Sequence, residues 1–134
     1  MVAVTENKTI DAQAKRGLIG GVVNGGEKLY QGTMCFFDGG FLTGVAGGNQ
    51  FAGINKNFVD NSAGSDGNED AERFTEGVFY LSGSGFSQDD VGVKAYASDN
   101  FTVTTTSTGN SLIGKIVAYE STTKVGVKID VQQA

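Results

Sequence analysis

The sequence predicts an all-β fold, a small barrel or sandwich of about eight short strands with an extended N-terminal arm. Three observations carry this. Val125, Val127, Ile129 and Val131 alternate with Gly126, Lys128 and Asp130, the period of a half-buried strand. Apolar, β-branched and aromatic runs recur roughly every ten residues between clusters of Gly, Asn, Asp and Ser. With 21 glycines and no proline, the turns must be built by residues that tolerate positive φ rather than by rings that fix it.

Each element can be justified in chain order. Residues 1–26 read as an arm: Val2 and Val4 alternate at the start, a polar stretch covers 11–16, and Gly20-Gly21 and Gly25-Gly26 come after it. Such a segment is expected to hold a short strand of its own, and residues 27–134 to form one β domain. Residues 33–37 and 41–45 flank Asp38-Gly39-Gly40, a strong hairpin signal. Residues 60–70 (DNSAGSDGNED) read as a long polar loop. Residues 72–74 are expected to run on into a strand over 77–81. Ser87-Gln88-Asp89-Asp90 fits one capped helical turn stopped by Gly92. Residues 93–97 and 101–105 pair across Ser98-Asp99-Asn100, and 112–131 form a hairpin turning at 120–123. Phe36, Phe37, Phe41, Phe51, Phe79, Tyr80, Tyr96 and Phe101 fall in or beside strands, so most are expected in the core.

Charge and composition narrow the function classes. The net charge is −5, and the acids concentrate in the middle: residues 31–99 hold three bases and ten acids. Without a Lys/Arg cluster to displace counterions, nucleic acid is not an expected partner. No apolar run approaches the roughly 20 residues a bilayer span needs, so a membrane is not expected either. The start MVAVTENKT lacks a basic segment leading into an apolar one, and the single Cys35 has no partner within the chain, which together fit assembly in a reducing cytoplasm.

Two motifs invite chemistry and fail on inspection. GNSLIGKI (109–116) matches the phosphate loop G-x-x-x-x-G-K-[ST] up to its last position, where Ile116 has no oxygen for Mg²⁺. The residues after Lys115 are IVAYESTT, a strand sequence rather than the helix a phosphate loop opens. Gly109-Asn110 therefore reads as a turn and Lys115 as the solvent or partner face of a strand. The stretch from Asp66 begins like a calcium loop, but Ala71 stands where glycine is required and Gly77 where a bidentate acid is. The expected metal and cofactor content is none. With no His in the chain, triads, Cys–His pairs and most zinc sites fall away, and Cys35, in Met34-Cys35-Phe36-Phe37, fits a packed core thiol. The carboxylate pair Asp89 and Asp90 could in principle serve a hydrolase, but adjacent residues of one turn do not face each other across a cleft. The chain is not expected to be an enzyme.

Four stretches carry a resemblance. FAGINKNFVDNSAGSDG (51–67), GVFYL (77–81), QDDVGVKAYASDNFTVT (88–104) and IGKIVAYESTTKVGVKI (113–129), in this order and spacing, resemble the small capsid cement, or head decoration, proteins of tailed bacteriophages. The likeness covers roughly residues 25–131. Two departures stand out: Glu76 occupies a position often basic in that family, and the arm is longer. The resemblance implies a non-enzymatic structural protein on the exterior of the virion capsid, made in the host cytoplasm. It would bind the phage major capsid protein as a homo-oligomer, a trimer ahead of a dimer. Val2, Ala3, Val4 and Thr5 are the expected capsid contact, adding as a strand to a sheet edge. The alternative is a small β-barrel glycan or receptor binder on a virion surface, using the 60–70 loop and exposed aromatics.

Overall fold

The computed structural model describes residues 4–8, 10 and 17–131. It holds twelve strands and one short 3-10 turn. The first group comprises β1 (Leu18–Val22), β3 (Met34–Asp38), β4 (Phe41–Thr43), β5 (Gln50–Asn55) and β7 (Asp70–Phe74), in a sheet of order β1-β7-β5-β3-β4. The second comprises β8 (Glu76–Gly83), β9 (Lys94–Ala97), β10 (Thr102–Thr104), β11 (Ser111–Ser121) and β12 (Lys124–Asp130), which close into a barrel of order β10-β8-β12-β11-β9. The remaining two strands, β2 (Lys28–Leu29) and β6 (Val59–Asp60), pair as a small ribbon. The all-β expectation holds, with more and shorter strands than the alternation alone suggested. Among the described residues no helix is long and apolar enough to cross a membrane.

Sequence dictates which faces are buried. In β3 and β5 the side chains divide between two clusters. Met34, Phe36, Phe51 and Ile54 join the main core with Phe79, Leu81, Ile113, Ile116, Val125, Val127 and Ile129 of the barrel. Cys35 and Ala52 join a second core with Val23, Leu29, Leu42 and Ala71. These two strands are thus apolar on both sides and read as continuous runs, MCFF and FAGI, rather than alternating ones. Barrel strands have one wet face and alternate cleanly, as residues 125–131 do.

Glycine matters most at two register breaks. Gly53, at φ +138, lies opposite the shift between Cys35 and Phe36, and Gly114, at φ +155, stands just past the shift after Leu112. A Cβ at Gly53 would run into the Phe74 carbonyl oxygen, and one at Gly114 into that of Lys128. Each bulge lets a neighbouring backbone approach closely, which only glycine permits.

Several expectations come out as read. Asp38-Gly39-Gly40 makes the β3–β4 turn, with Gly39 and Gly40 at φ +62 and +87. Val103 pairs with Ala97 in β9–β10, and β11–β12 is the C-terminal hairpin, with Ser121 opposite Lys124. Ser87 donates its backbone N–H to the Asp90 carboxylate at 3.0 Å over the turn Gln88–Asp90. Phe36, Phe51 and Phe79 are fully buried, while Phe37, Phe41, Tyr80, Tyr96 and Phe101 are half-buried.

Two local readings change. Residues 72–74 do not continue into 77–81. The chain leaves the sheet at Thr75, whose N–H donates to Gly17 O at 2.9 Å, and enters the barrel as β8. Within the segment 1–26 read as an arm, β1 is integral to the sheet and pairs with β7 over its whole length. A glycine-rich strand bounded by further glycines carries little periodic signal, which is why β1 is hard to see in the sequence.

Candidate interaction face

The residues expected to grip a partner lie at the start of the chain. Val2 and Ala3 fall outside the described residues. Val4 lies on its own domain: its N–H donates to Asn100 Oδ1 at 2.9 Å, and Asn100 Nδ2 donates back to Val4 O at 3.4 Å. Both backbone groups of Val4 are therefore engaged, and adding it to another sheet would have to exchange these bonds. Thr5 is exposed. Further along, Lys8 N–H donates to Gln31 O, Asn7 Oδ1 accepts from Gln31 N–H at 2.8 Å, and the Lys8 ammonium sits 4.9 Å from the Phe101 ring centroid. Ile10 packs on the main core. Residues 4–8 thus lie as a strap over the junction of sheet and barrel.

The loop 60–70 is ordered by a residue that sequence reasoning missed. Asn61 is 2% exposed and its Nδ2 donates to Val23 O, Asn24 O and Ser65 O at 3.0–3.1 Å. An asparagine inside a polar run gives no sign that it is buried. Asp60 accepts from the Ser62 hydroxyl at 2.6 Å and its N–H at 2.9 Å, which with nearby Lys28 holds its carboxyl below the usual range. Asp66 Oδ1 accepts from Gly25 N–H at 2.8 Å. These carboxylates thus tie down backbone. Among the described residues no group of three or more His, Cys, Asp or Glu side chains is placed to hold a metal ion.

Cys35 is fully buried and its thiol donates to Gly53 O at 3.5 Å. Burial pushes the thiol up to about 12, against a smaller opposing pull from Arg73, so it stays protonated and inert at neutral pH. Arg73, 8% exposed, lies beside it. Its Nε donates to Ala52 O at 2.6 Å and its Nη1 to Gly20 O at 3.0 Å, with the guanidinium 5.1 Å from the Phe37 ring centroid. The side chain thereby fastens β1 and β5, the two neighbours of its own strand.

Exposed large apolar residues are spread over the molecule, and Val45, Phe58, Val91 and Val93 lie outside β1 and β11. Leu18, Ile19 and Val22 of β1 and Val117 of β11 are large apolar residues at least one-third exposed. Along Leu18–Val22, β1 pairs with β7 on one side. Beyond it Val23 makes a single parallel bridge to Leu42, and Asn24 N–H donates to Leu42 O at 2.9 Å. The other edge of Leu18–Val22 has no strand partner among the described residues. An unpaired edge with apolar side chains is a template for another chain.

Beside this edge a groove of about 580 Å³ is lined by Ile19, Val117, Lys115, Lys128, Glu76 and Asp130, among others. Lys115 stands on a strand and is exposed, as the failed phosphate loop implied. The register adds what the sequence could not: Lys115 lies directly opposite Lys128 on one side and Lys94 on the other. Like charges placed opposite each other across strands cost roughly 0.2–1 kcal/mol per pair, and solvent screening keeps the cost near the lower end. Among the described residues the ion pairs are Lys8–Glu6 and Lys56–Glu72, and none of these three lysines takes part in one.

Around the groove a strand edge unpaired among the described residues meets apolar Ile19 and Val117 and the basic Lys115 and Lys128, the ingredients of a protein-contact surface. The chain matches no protein-family model, and no curated protein matches it significantly.

Proposed function

We propose that this chain is a capsid decoration protein: a homo-oligomer that binds the outer surface of a tailed-phage shell and bridges neighbouring major capsid protein subunits. The observation that carries the reading is the open edge of β1, with exposed Leu18, Ile19 and Val22, on a body whose other large sheet is closed into a barrel. The partner is inferred from the four stretches that resemble cement proteins, from 51–67 to 113–129. The N-terminal residues Val2, Ala3, Val4 and Thr5 would add a second contact, Val4 by exchanging its bonds to Asn100.

The mechanism is avidity. One copy buries a modest patch on the shell, but a symmetric oligomer offers several at once, which can raise overall affinity by about 10²-fold or more. A clamp spanning neighbouring subunits then opposes the outward push of packaged DNA.

A second reading, a glycan or receptor binder, has one observation in its favour. Phe58 is 44% exposed and lies against Tyr30, with ring centroids 5.3 Å apart, beside the 60–70 loop. Image reconstruction of particles with and without the chain separates the two. Regular extra density at quasi-symmetric positions on the shell is the expected result; density confined to a tail tip, with bare shells, overturns the decoration reading.

A further inference from the structure

We propose that copies of this chain associate head to tail, the lysine row Lys94–Lys115–Lys128 of one copy receiving the acidic end of the sheet of the next. The inference deepens the homo-oligomer part of the proposed function and rests on it.

The basic row is a product of register. Adjacent strands lie about 4.8 Å apart, so three lysines directly opposite one another place three ammonium groups along about 10 Å of the barrel surface. Lys94, Lys115 and Lys128 are all exposed, and among the described residues none is neutralised by a carboxylate within 4.0 Å. Glu76 and Asp130, themselves opposite each other on β8 and β12, line the same groove beside Lys128.

The complement lies on the same chain. Asp38, Asp66, Glu69 and Asp70 are exposed and gather around residues 22–25. Asn24 Nδ2 donates to Asp38 Oδ2 at 3.3 Å, Gly25 N–H to Asp66 Oδ1 at 2.8 Å and Val23 N–H to Glu69 O at 2.9 Å, and Asp70 pairs with Val22. Among the described residues no base forms an ion pair with any of the four. This cluster marks the Val22 end of β1. The groove, lined by Ile19 and Thr75, lies at the other end, where Leu18 pairs with Phe74. Opposite charges at opposite ends of one strand give a heterologous contact, which builds a ring where the rotation closes. Ile19 and Val117, in the same groove as Lys115 and Lys128, supply apolar contact beside the charges.

The test uses the full chain without shells, in sedimentation velocity. One variant carries Lys94→Glu, Lys115→Glu and Lys128→Glu; the other carries Glu69→Lys and Asp70→Lys, which leaves the Asp66 tie to Gly25 in place. The unmodified chain is expected to form a discrete oligomer at low salt that dissociates toward about 1 M salt, where the screening length falls to about 3 Å. Each variant alone should lose association by about a hundredfold or more, and an equimolar mixture should regain it, since each then meets an opposite charge. All variants should keep the circular dichroism and melting behaviour of the parent. A monomeric parent at low salt, or variants that keep the parent's size, overturns the proposal. So does a lysine variant that keeps its size but loses binding to heparin, which would make the row a polyanion site. Decoration of shells by a chain that is monomeric in solution would remove this inference and leave the decoration reading standing.

Discussion

The barrel and the five-stranded sheet are built from strands of similar composition, yet they end differently. In the barrel β8 to β12 each pair on both sides, so hydrogen bonding is closed and the interior fills with Phe79, Leu81, Ile113, Ile116, Val125, Val127 and Ile129. The sheet almost closes too, through the bridge from Val23 to Leu42, but only there. Among the described residues the rest of β1 has one strand partner, reinforced by a buried side chain, Arg73, that reaches from β7 to both β1 and β5. Closure leaves no strand edge for another chain to extend; incomplete closure leaves an edge that can be used.

The largest effect that would break this comparison lies in the barrel. Gly114→Val should cost at least about 3 kcal/mol or prevent folding, because a β-branched residue is strained at positive φ and its Cβ would overlap the Lys128 carbonyl. Denaturant unfolding measures it, and a loss below about 1 kcal/mol would show that the bulge relaxes cheaply. Next comes the sheet. Arg73→Met removes two charge-assisted bonds to carbonyls and should cost about 2–3 kcal/mol. Unlike the barrel variant, it should also speed hydrogen exchange across β1 more than across β11, which identifies Arg73 as the tie between the two sheet strands.

The same contrast explains what was legible. Barrel strands such as β12 have one wet face, so Val125, Val127 and Ile129 announce them, and the Asp38-Gly39-Gly40 turn announces the β3–β4 hairpin. Strands buried on both faces, such as β5, lack alternation, and LIGGV in β1 has glycines where a pattern would be read. The failure of GNSLIGKI as a phosphate loop correctly put Lys115 on a strand face. Its alignment with Lys94 and Lys128 depends on strand order and on the shift after Leu112, which no local pattern encodes. Asn61 is similar: its three carbonyl partners come from residues 23, 24 and 65, and only the fold brings the first two near it.

The central claim is that the open edge of β1 is the surface through which this chain meets the shell, while the paired backbone of the barrel supports it. Hydrogen exchange of the free chain and of the chain bound to purified shells tests it most directly. On binding, the amides of Leu18–Val22 should slow by about tenfold or more, as expected when an unpaired strand edge is covered, with Ser111–Ser121 and Lys124–Asp130 unchanged in their paired interior. Unchanged exchange across Leu18–Val22 in fully decorated shells would contradict the claim.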